Sequence, residues 1–195
     1  TWIAPYRVEC MSMTSAFAFG FDQDFCAEKC QPTRVNPYFD APSGTLHGGY
    51  SIKPTMVLSA ESFDYAKQLI DRGIAADGLF PEGTAYLLST KDSPRNVRAA
   101  SYSLAVPLAS TKLRVRILRQ DEISQKNDVL FYFTGLERVE SIDTLQFVPG
   151  AVADHLTSFG GMLTDSPQMS ALRWIQAGAT GSFGTVVEPC NLVQK

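Results

Sequence analysis

Histidine is scarce in this 195-residue sequence, which contains only His47 and His155. An imidazole base, if the chain uses one, must therefore come from one of these two positions. Basic residues are not in excess either, since 17 lysines and arginines stand against 20 aspartates and glutamates, for a net charge of -3. Nucleic-acid binding normally requires a basic face, so no nucleic-acid partner is predicted. Apolar runs are also short, and none approaches the ~18–20 residues of a membrane-spanning helix.

The composition is that of one globular domain. Hydrophobic residues make up 45% of the chain and charged residues 19%, and the length is enough to bury a sizeable core. The first residue is Thr1 rather than Met, and the chain stops at Gln194-Lys195, directly after a segment typical of a core strand. We therefore expect a single domain over residues 1–195 with both ends truncated, either by removal of a targeting segment or by excision from a longer chain.

Four cysteines leave the choice between disulfides and free thiols open. Cys26 and Cys30 are four residues apart, and in a regular helix this spacing separates the β-carbons by about 5–6 Å, more than the roughly 3.5–4.5 Å of a relaxed disulfide. A bridge between them needs a distorted turn, which the nearby Pro32 favours, and Cys10 and Cys190 can pair only if the fold brings the chain ends together. Zinc is disfavoured because the two-residue spacer and nearby histidines are missing. The sequence therefore favours two disulfides or two pairs of free thiols, with no metal.

Residues 1–54 form an irregular N-terminal segment. A strand is predicted around Tyr6–Met11, followed by a short buried helical turn, and Phe21–Pro54 holds several prolines and glycines. A loop of this length inside a compact domain is usually functional or tied down covalently, and the two cysteines within it favour the second explanation. We expect the segment to pack on the regular part of the chain.

From Thr55 onward, predicted strands alternate with predicted helices. Ser62, and later Asp92 or Ser93, are placed as helix N-caps, with Pro94 in the first turn of the second helix. Such alternation predicts right-handed βαβ units, and hence an α/β domain: a three-layer sandwich with a mostly parallel, doubly wound sheet. The predicted strands are Thr55–Ser59, Thr84–Ser89, Leu113–Leu118, Asp128–Thr134 and Thr180–Val187; a third helix is predicted at Met169–Ala177, and Phe147–Phe159 is ambiguous between strand and turn.

Apolar residues at helical spacing identify the side of each helix that is expected to face the sheet. Alternating arginines in the third strand, Arg114 and Arg116, mark an exposed face there. The residues expected to face inward are Phe63, Ala66, Leu69, Ile70 and Ile74 in the first helix, Val97, Ala100 and Leu104 in the second, and Leu172 and Ile175 in the third.

A glycine-rich run from Gly178 to Cys190 closes the sequence. Gly178, Gly181 and Gly184 are spaced Gly-x-x-Gly-x-x-Gly, which differs from the Gly-x-Gly-x-x-Gly of dinucleotide-binding domains. The run leads from a helix into a strand, so no helix N-terminus points at a phosphate. A helix C-cap at Gly178 and close backbone packing at the other two glycines are therefore predicted, and no cofactor.

Catalytic groups in open parallel sheets collect at the carboxyl ends of the strands. His155 directly follows Asp154 at one such end, and neighbours in an extended segment point to opposite faces, so Asp154 cannot orient His155 from within the same strand. Ser158 lies near a turn three residues later, but proximity in sequence does not establish a triad. A capping or core role is the favoured interpretation of His155. The alternative is a hydrolase in which His155 acts with Ser158 or Cys190.

Three long segments agree, in order, with one family. They are Pro5–Ser12 (PYRVECMS), Gly150–Gly161 (GAVADHLTSFGG) and Gly178–Cys190 (GATGSFGTVVEPC). Over nearly its whole length the chain resembles a family of uncharacterised bacterial exported proteins, whose core is loosely similar to caspase-type and gingipain-type α/β domains. Members of that family usually carry an export signal, so the resemblance implies a periplasmic or extracellular protein.

The resemblance to caspase-type domains also implies where a catalytic dyad would lie. Those peptidases place a His-Gly after one central strand and a nucleophilic Cys at the end of the next. Here the first such strand ends in Thr134-Gly135 and the next in Asp154-His155, so both positions hold other residues. Cys190 leaves a thiol nucleophile open, with His155 as its base, although the acidic neighbour Glu188 disfavours a thiolate.

We therefore expect a caspase-like α/β domain without peptidase activity that serves as an interaction or structural subunit of an exported or cell-envelope assembly. Its partner would be another protein or further copies of the chain. The alternatives are the hydrolase described above and a domain that binds carbohydrate or another small ligand in an aromatic cleft near Tyr38, Phe39 and Tyr50.

Overall fold

A five-stranded parallel sheet forms the centre of the fold. The computed structural model describes residues 11–20, 22–26, 30, 32–37, 55–188 and 190. The strands lie in the order β2-β1-β3-β4-β5, and every adjacent pair is parallel. The prediction of an α/β fold is therefore confirmed. In chain order the strands are β1 (Gly83–Leu88), β2 (Leu113–Leu118), β3 (Val129–Thr134), β4 (Phe147–His155) and β5 (Gly181–Ser182).

The α-helices of the described residues are α1 (Met13–Phe19), α2 (Phe63–Ala76) and α3 (Leu172–Gln176). α2 begins where the sequence predicts, because the Oγ of Ser62 accepts a hydrogen bond from the N–H of Tyr65 at 3.2 Å. It ends just before Gly78, which has a φ of 67° that favours glycine. α1 provides the predicted helical turn near the N-terminus, although Ala16 is its one buried residue.

The sequence of β3 explains its central position. Val129 and Tyr132 are completely buried, and such a nearly continuous apolar run suits a strand that is covered on both faces. β2 lies at an edge of the sheet and has the predicted alternation, in which Arg114 and Arg116 are exposed. The apolar content of β2 and of β3 thus matches the place of each strand in the sheet.

One face of the sheet carries the main core. The strand register places Tyr132 between Tyr86 and Ala153. Trp174 of α3 packs edge-on against Tyr132, with 5.1 Å between the ring centroids. We call this side of the sheet the Tyr132 face. Its other buried members are Leu88, Ile123, Val129, Val139, Ile142, Leu145, Met169 and Ala179.

Residues one position further along each strand point to the opposite side, which we call the Phe133 face. Phe133 and Asp154 are register partners there. A 3-10 helix, Val97–Leu108, covers this face, and the guanidinium carbon of Arg98 lies 5.7 Å from the centroid of the Phe133 ring. Because α3 covers one face and this 3-10 helix the other, the sheet is the middle layer of three, as predicted.

A polar network joins the amino-terminal halves of three strands. Asp128, directly before β3, accepts hydrogen bonds from Thr84 Oγ1 at 2.6 Å, the Tyr86 hydroxyl at 2.8 Å and Arg114 Nη2 at 2.8 Å. Partial burial acts to raise the pKa of Asp128, but the three hydrogen bonds and the charge of Arg114 outweigh it and lower the pKa to about 2. The ionised carboxylate therefore links β1, β2 and β3.

Two of the predicted strands differ from the structure: one does not form and the other is much shorter. No strand forms over residues 55–59, where Met56 is 85% exposed and Leu58 57%, so these side chains bury too little surface to hold the segment on the sheet. The last strand, predicted as Thr180–Val187, is only the two residues of β5. Beyond β5 the carbonyl of Thr185 accepts a hydrogen bond from Gly161 N–H at 2.8 Å. The chain therefore follows the turn after β4 instead of continuing along that strand.

The helix predicted to start at Asp92 or Ser93 was also wrong in type. It consists of two 3-10 helices, Ser93–Arg95 and Val97–Leu108, and Asp92 caps the first. In the second, Tyr102 is buried, whereas Leu104, expected to face inward, is 74% exposed. A 3-10 helix has 3.0 residues per turn rather than 3.6, which moves side chains away from the positions that α-helical spacing assigns.

The inward side of α2 differs from the prediction as well. Leu69 is its one buried residue, and Phe63, Ile70 and Ile74 are exposed. The predicted apolar residues lie within one arc of about 140° around the helix, but only the part of that arc near Leu69 packs on the domain.

The inward side of α3 also differs from the prediction. Trp174 is completely buried, and the two residues expected inward, Leu172 and Ile175, flank it and are half-buried. The largest apolar side chain of α3 therefore takes the central position over the Tyr132 face.

Several predicted features lie outside the described residues. These are nearly all of the strand Tyr6–Met11, His47, Cys10 and the aromatic residues Tyr38, Phe39 and Tyr50. In the part of the chain that is described, no helix has the length and apolar character needed to cross a membrane.

Candidate functional site

The carboxyl edge between β1 and β3 is the place where ligands bind in open α/β sheets, because the connections leaving these two strands diverge there. In this chain, groups of the loops that follow β1 and β3 occupy the position where a ligand would bind. Thr90 Oγ1 donates a hydrogen bond to the Gly135 carbonyl at 2.8 Å, and Thr90 N–H donates to Asn96 Oδ1 at 2.9 Å. A β-carbon on Gly135 would overlap the carbonyl group of Arg95, so the two loops meet through their backbones.

Arg98 joins the carboxyl ends of β3 and β4. Its Nη1 donates to a carboxylate oxygen of Asp154, and its Nη2 donates to the Thr134 carbonyl at 3.0 Å. The Asp154 side chain is only 5% exposed and that of Arg98 23%. In so buried a position each charge depends on the other, because an unpaired charge there would be costly. The guanidinium thus occupies the ends of both central strands.

His155 is held by hydrogen bonds to both of its ring nitrogens. Trp174 Nε1, which can only donate, lies 2.9 Å from Nδ1, and the Met169 carbonyl, which can only accept, lies 2.8 Å from Nε2. The neutral tautomer with the proton on Nε2 is the one that satisfies both partners. His155 is 1% exposed, and this burial lowers its pKa. The geometry is that of a core histidine, which agrees with the favoured interpretation of the sequence.

A chain of side-chain hydrogen bonds fixes the turn after β4. Arg95 Nε donates to Thr157 Oγ1 at 3.1 Å, and Thr157 Oγ1 donates to Gln168 Oε1 at 2.9 Å. The same Gln168 oxygen accepts the N–H of Phe159 at 2.8 Å. Asp92 completes the chain by accepting a hydrogen bond from Arg95 Nη1 at 2.8 Å. This turn contains Ser158 and is therefore held on both sides.

Ser158 was a candidate nucleophile with His155 as its base. Its carbonyl accepts a hydrogen bond from Thr185 Oγ1 at 2.7 Å. Both nitrogens of His155 are directed at Trp174 and Met169, so neither is available to the Ser158 hydroxyl. The two residues are close in the chain, but the structure does not join them as nucleophile and base.

Cys190, the other candidate nucleophile, forms a disulfide with Cys30, with 5.5 Å between the α-carbons. Cys26 is disulfide-bonded as well. The pairing of Cys26 with Cys30 that the sequence left open is thus wrong, and so is a pairing of Cys190 with Cys10. A bridge across 160 residues forms because the fold brings the segment before Pro32 next to the end of the glycine-rich run. Within the described ranges, no cysteine carries a free thiol.

Gly178 and Gly184 have the cap and packing roles that the spacing predicts, whereas Gly181 makes only an ordinary contact with the Val152 side chain. Gly178 follows α3 with a φ of 113°, a conformation that L side chains rarely adopt. Gly184 lies against Gly161 so closely that a β-carbon on either residue would overlap the backbone of the other. Glycine is needed there for close approach of the backbones.

The described residues contain no group of three or more His, Cys, Asp or Glu side chains placed to hold a metal ion. The central features of this edge, the Arg98–Asp154 pair and the Trp174–His155 hydrogen bond, were missed by sequence reasoning. A signal for the first existed, because an aspartate at the end of a buried strand requires a cation. The sequence does not indicate which arginine supplies it, since Arg98 lies 56 residues away.

Comparisons of the chain with models of protein families, with curated proteins and with solved structures give no match in any of the three. The resemblance to bacterial exported proteins and to caspase-type domains therefore stays a prediction.

Proposed function

We propose that this chain is a non-catalytic α/β domain that acts as an interaction or structural subunit of an exported or cell-envelope assembly. One observation carries the proposal. The carboxyl ends of β3 and β4, where a parallel sheet of this kind would place its catalytic groups, hold a buried ion pair and a doubly hydrogen-bonded histidine. The side chains at this edge are already bound to one another.

Nucleophilic catalysis needs a side chain that attacks and a base that activates it. Cys190 has no thiol because its sulfur is bonded to Cys30. His155 could accept a proton only after losing its hydrogen bond from Trp174 in a site that excludes water. The base of the hydrolase alternative, and its candidate thiol nucleophile, are thus already engaged in contacts that stabilise the fold.

Location outside the reducing cytosol is supported by the disulfides. A bridge between Cys30 and Cys190, together with the disulfide-bonded state of Cys26, suits an oxidising compartment such as the periplasm or the extracellular space. We expect a thiol titration of the denatured chain to detect no free thiol before reduction and four after it. Reactive thiols in the unreduced protein would contradict this location.

A role in binding other proteins is supported by the exposed apolar side chains. Contiguous apolar patches on soluble proteins mark interaction sites, and exposed apolar residues that are close together in the chain are candidates for such a patch. The large apolar side chains that are more than half exposed include Met56, Leu58, Phe63, Ile74, Leu79, Phe80, Leu104, Val106 and Leu108.

Hydrolysis of a broad peptide library tests the proposal. We expect the chain to release no more product than a blank. Turnover that is abolished by Ser158→Ala but retained by Ser103→Ala, a change of the same kind at an exposed serine, would overturn the proposal in favour of the hydrolase with His155 and Ser158. Turnover that is lost on reduction or in Cys190→Ala would also overturn the proposal, and would show that the activity depends on the bridge between Cys30 and Cys190.

A further inference from the structure

α2 carries a stripe of exposed apolar side chains along one edge of its packed face. Phe63, Ile70 and Ile74 are 84%, 45% and 69% exposed. Phe63 and Ile70 are seven residues apart and Ile70 and Ile74 are four apart, so all three lie on one face of the helix. We call these three residues the outer stripe of α2.

The neighbouring part of the helix surface, around Leu69, makes the contacts that hold α2 on the domain. Leu69 is buried there, and Arg72 Nη2 donates hydrogen bonds to the carbonyls of Ile175 and Ala179 at 3.0 and 3.1 Å. Ala76 lies so close to Gly150 that a β-carbon on the glycine would crowd it. The apolar surface of α2 is therefore wider than the part that packs on the domain, and the outer stripe is the part left exposed.

An ion pair lies along the same side of the helix. Lys67, between Phe63 and Ile70, pairs with Asp71 at 2.5 Å, and both side chains are more than half exposed. The side thus combines apolar residues with one positive and one negative charge, in that order along the helix. A uniformly acidic or basic partner would gain nothing from it, because one of the two charges would be repelled.

We propose that the outer stripe is the contact between two copies of this chain, packed antiparallel about a two-fold axis near the middle of α2. In this arrangement Lys67 of each copy lies opposite Asp71 of the other, and Phe63 of each copy approaches Ile74 of the other. The surface is complementary to itself, as a two-fold interface requires. The inference names the partner in the proposed function and rests on it.

The outer stripe alone is smaller than a dimer contact. Specific interfaces bury about 800 Å² on each partner, more than three side chains supply. The dimer contact must therefore include further exposed apolar residues, and those nearest to α2 in the chain are Met56, Val57, Leu58, Leu79 and Phe80.

Sedimentation equilibrium of the 195-residue chain tests the inference, and a concentration-dependent dimer is expected. Ile74→Asp should raise its dissociation constant by roughly a hundredfold, because each dimer contains the substitution twice. Leu104→Asp is the matched control, since Leu104 is just as exposed but lies on the 3-10 helix over the Phe133 face. The control should leave the mass unchanged. Circular dichroism of both variants shows whether the fold is kept.

Charge exchange tests the antiparallel geometry. Lys67→Asp and Asp71→Lys should each weaken the dimer, because like charges then meet across the axis, and the double exchange should restore it. A monomer at all concentrations, equal effects of Ile74→Asp and Leu104→Asp, or a double exchange that stays monomeric would overturn the inference. If the chain is a monomer and its outer stripe also resists surface labelling, the inference is overturned and other residues of the chain cover the stripe. None of these results bears on the peptide-hydrolysis test, so the two proposals fail separately.

Discussion

Replacing Asp128 by Asn is expected to weaken the fold and to flatten its response to acid. Asp128 accepts three hydrogen bonds, from Thr84, Tyr86 and Arg114, which belong to β1 and β2. Its pKa falls from the ordinary 3.8 to about 2, and one whole step of pKa corresponds to 1.36 kcal/mol, which sets an upper limit of about 2.4 kcal/mol. The side chain is 30% exposed, so screening by solvent reduces the expected loss to about 1–2 kcal/mol.

The pH dependence has a definite sign. Because the pKa of Asp128 is lower in the folded chain than in the unfolded one, its contribution is fully present above about pH 4 and is lost as the pH falls toward 2. Urea denaturation at pH 7 and near pH 2, followed by tryptophan fluorescence, to which the buried Trp174 contributes, measures the difference between the two proteins. The deficit of Asp128→Asn should be largest at pH 7 and shrink at low pH.

Asp165→Asn provides the control for the same chemical change, since Asp165 is exposed and is hydrogen-bonded to the adjacent Thr164. We expect it to alter the free energy of unfolding by less than about 0.5 kcal/mol. An Asp128→Asn deficit that is the same at both pH values would refute the linkage argument. A deficit equal to that of Asp165→Asn would refute the role of the network in joining the strands.

Two further predictions concern the carboxyl edge and the glycines. Asp154→Asn should destabilise the chain by about 3–5 kcal/mol because it leaves the guanidinium of Arg98 buried without a counter-charge, and the further change Arg98→Leu should recover much of the loss in urea denaturation. If Arg98→Leu recovers none of the stability lost in Asp154→Asn, Asp154 acts through other contacts. Gly161→Ala should be destabilising because its β-carbon would overlap the backbone of Gly184, whereas Gly73→Ala, inside α2 with open space around it, should stabilise by roughly 0.5–1 kcal/mol. Equal thermal midpoints for the two alanine variants would contradict the close approach.

Features that depend on neighbouring residues could be predicted from the sequence. The apolar run of β3 and the serine that caps α2 are local signals, and both lie where expected. The strand at 55–59 failed for the opposite reason. Its side chains are as apolar as those of a strand, but a strand requires a partner and cover, neither of which is visible in five residues of sequence.

The contacts that define the candidate site depend on residues far apart in the chain. Arg98 meets Asp154 only because the 3-10 helix over the Phe133 face crosses the ends of β3 and β4. The bridge from Cys30 to Cys190 spans 160 residues, and no spacing rule connects them. Local sequence patterns therefore predicted the strands of the sheet. The contacts between side chains at its carboxyl edge depend on the tertiary structure and could not be predicted in this way.

The bridge between Cys30 and Cys190 closes a covalent ring that contains all five strands. Tension applied to the chain outside this ring passes through the sulfur–sulfur bond and does not reach the hydrogen bonds between the strands. A protease that cuts one loop inside the ring likewise leaves a single covalent molecule, whose two pieces separate only when the bond is reduced.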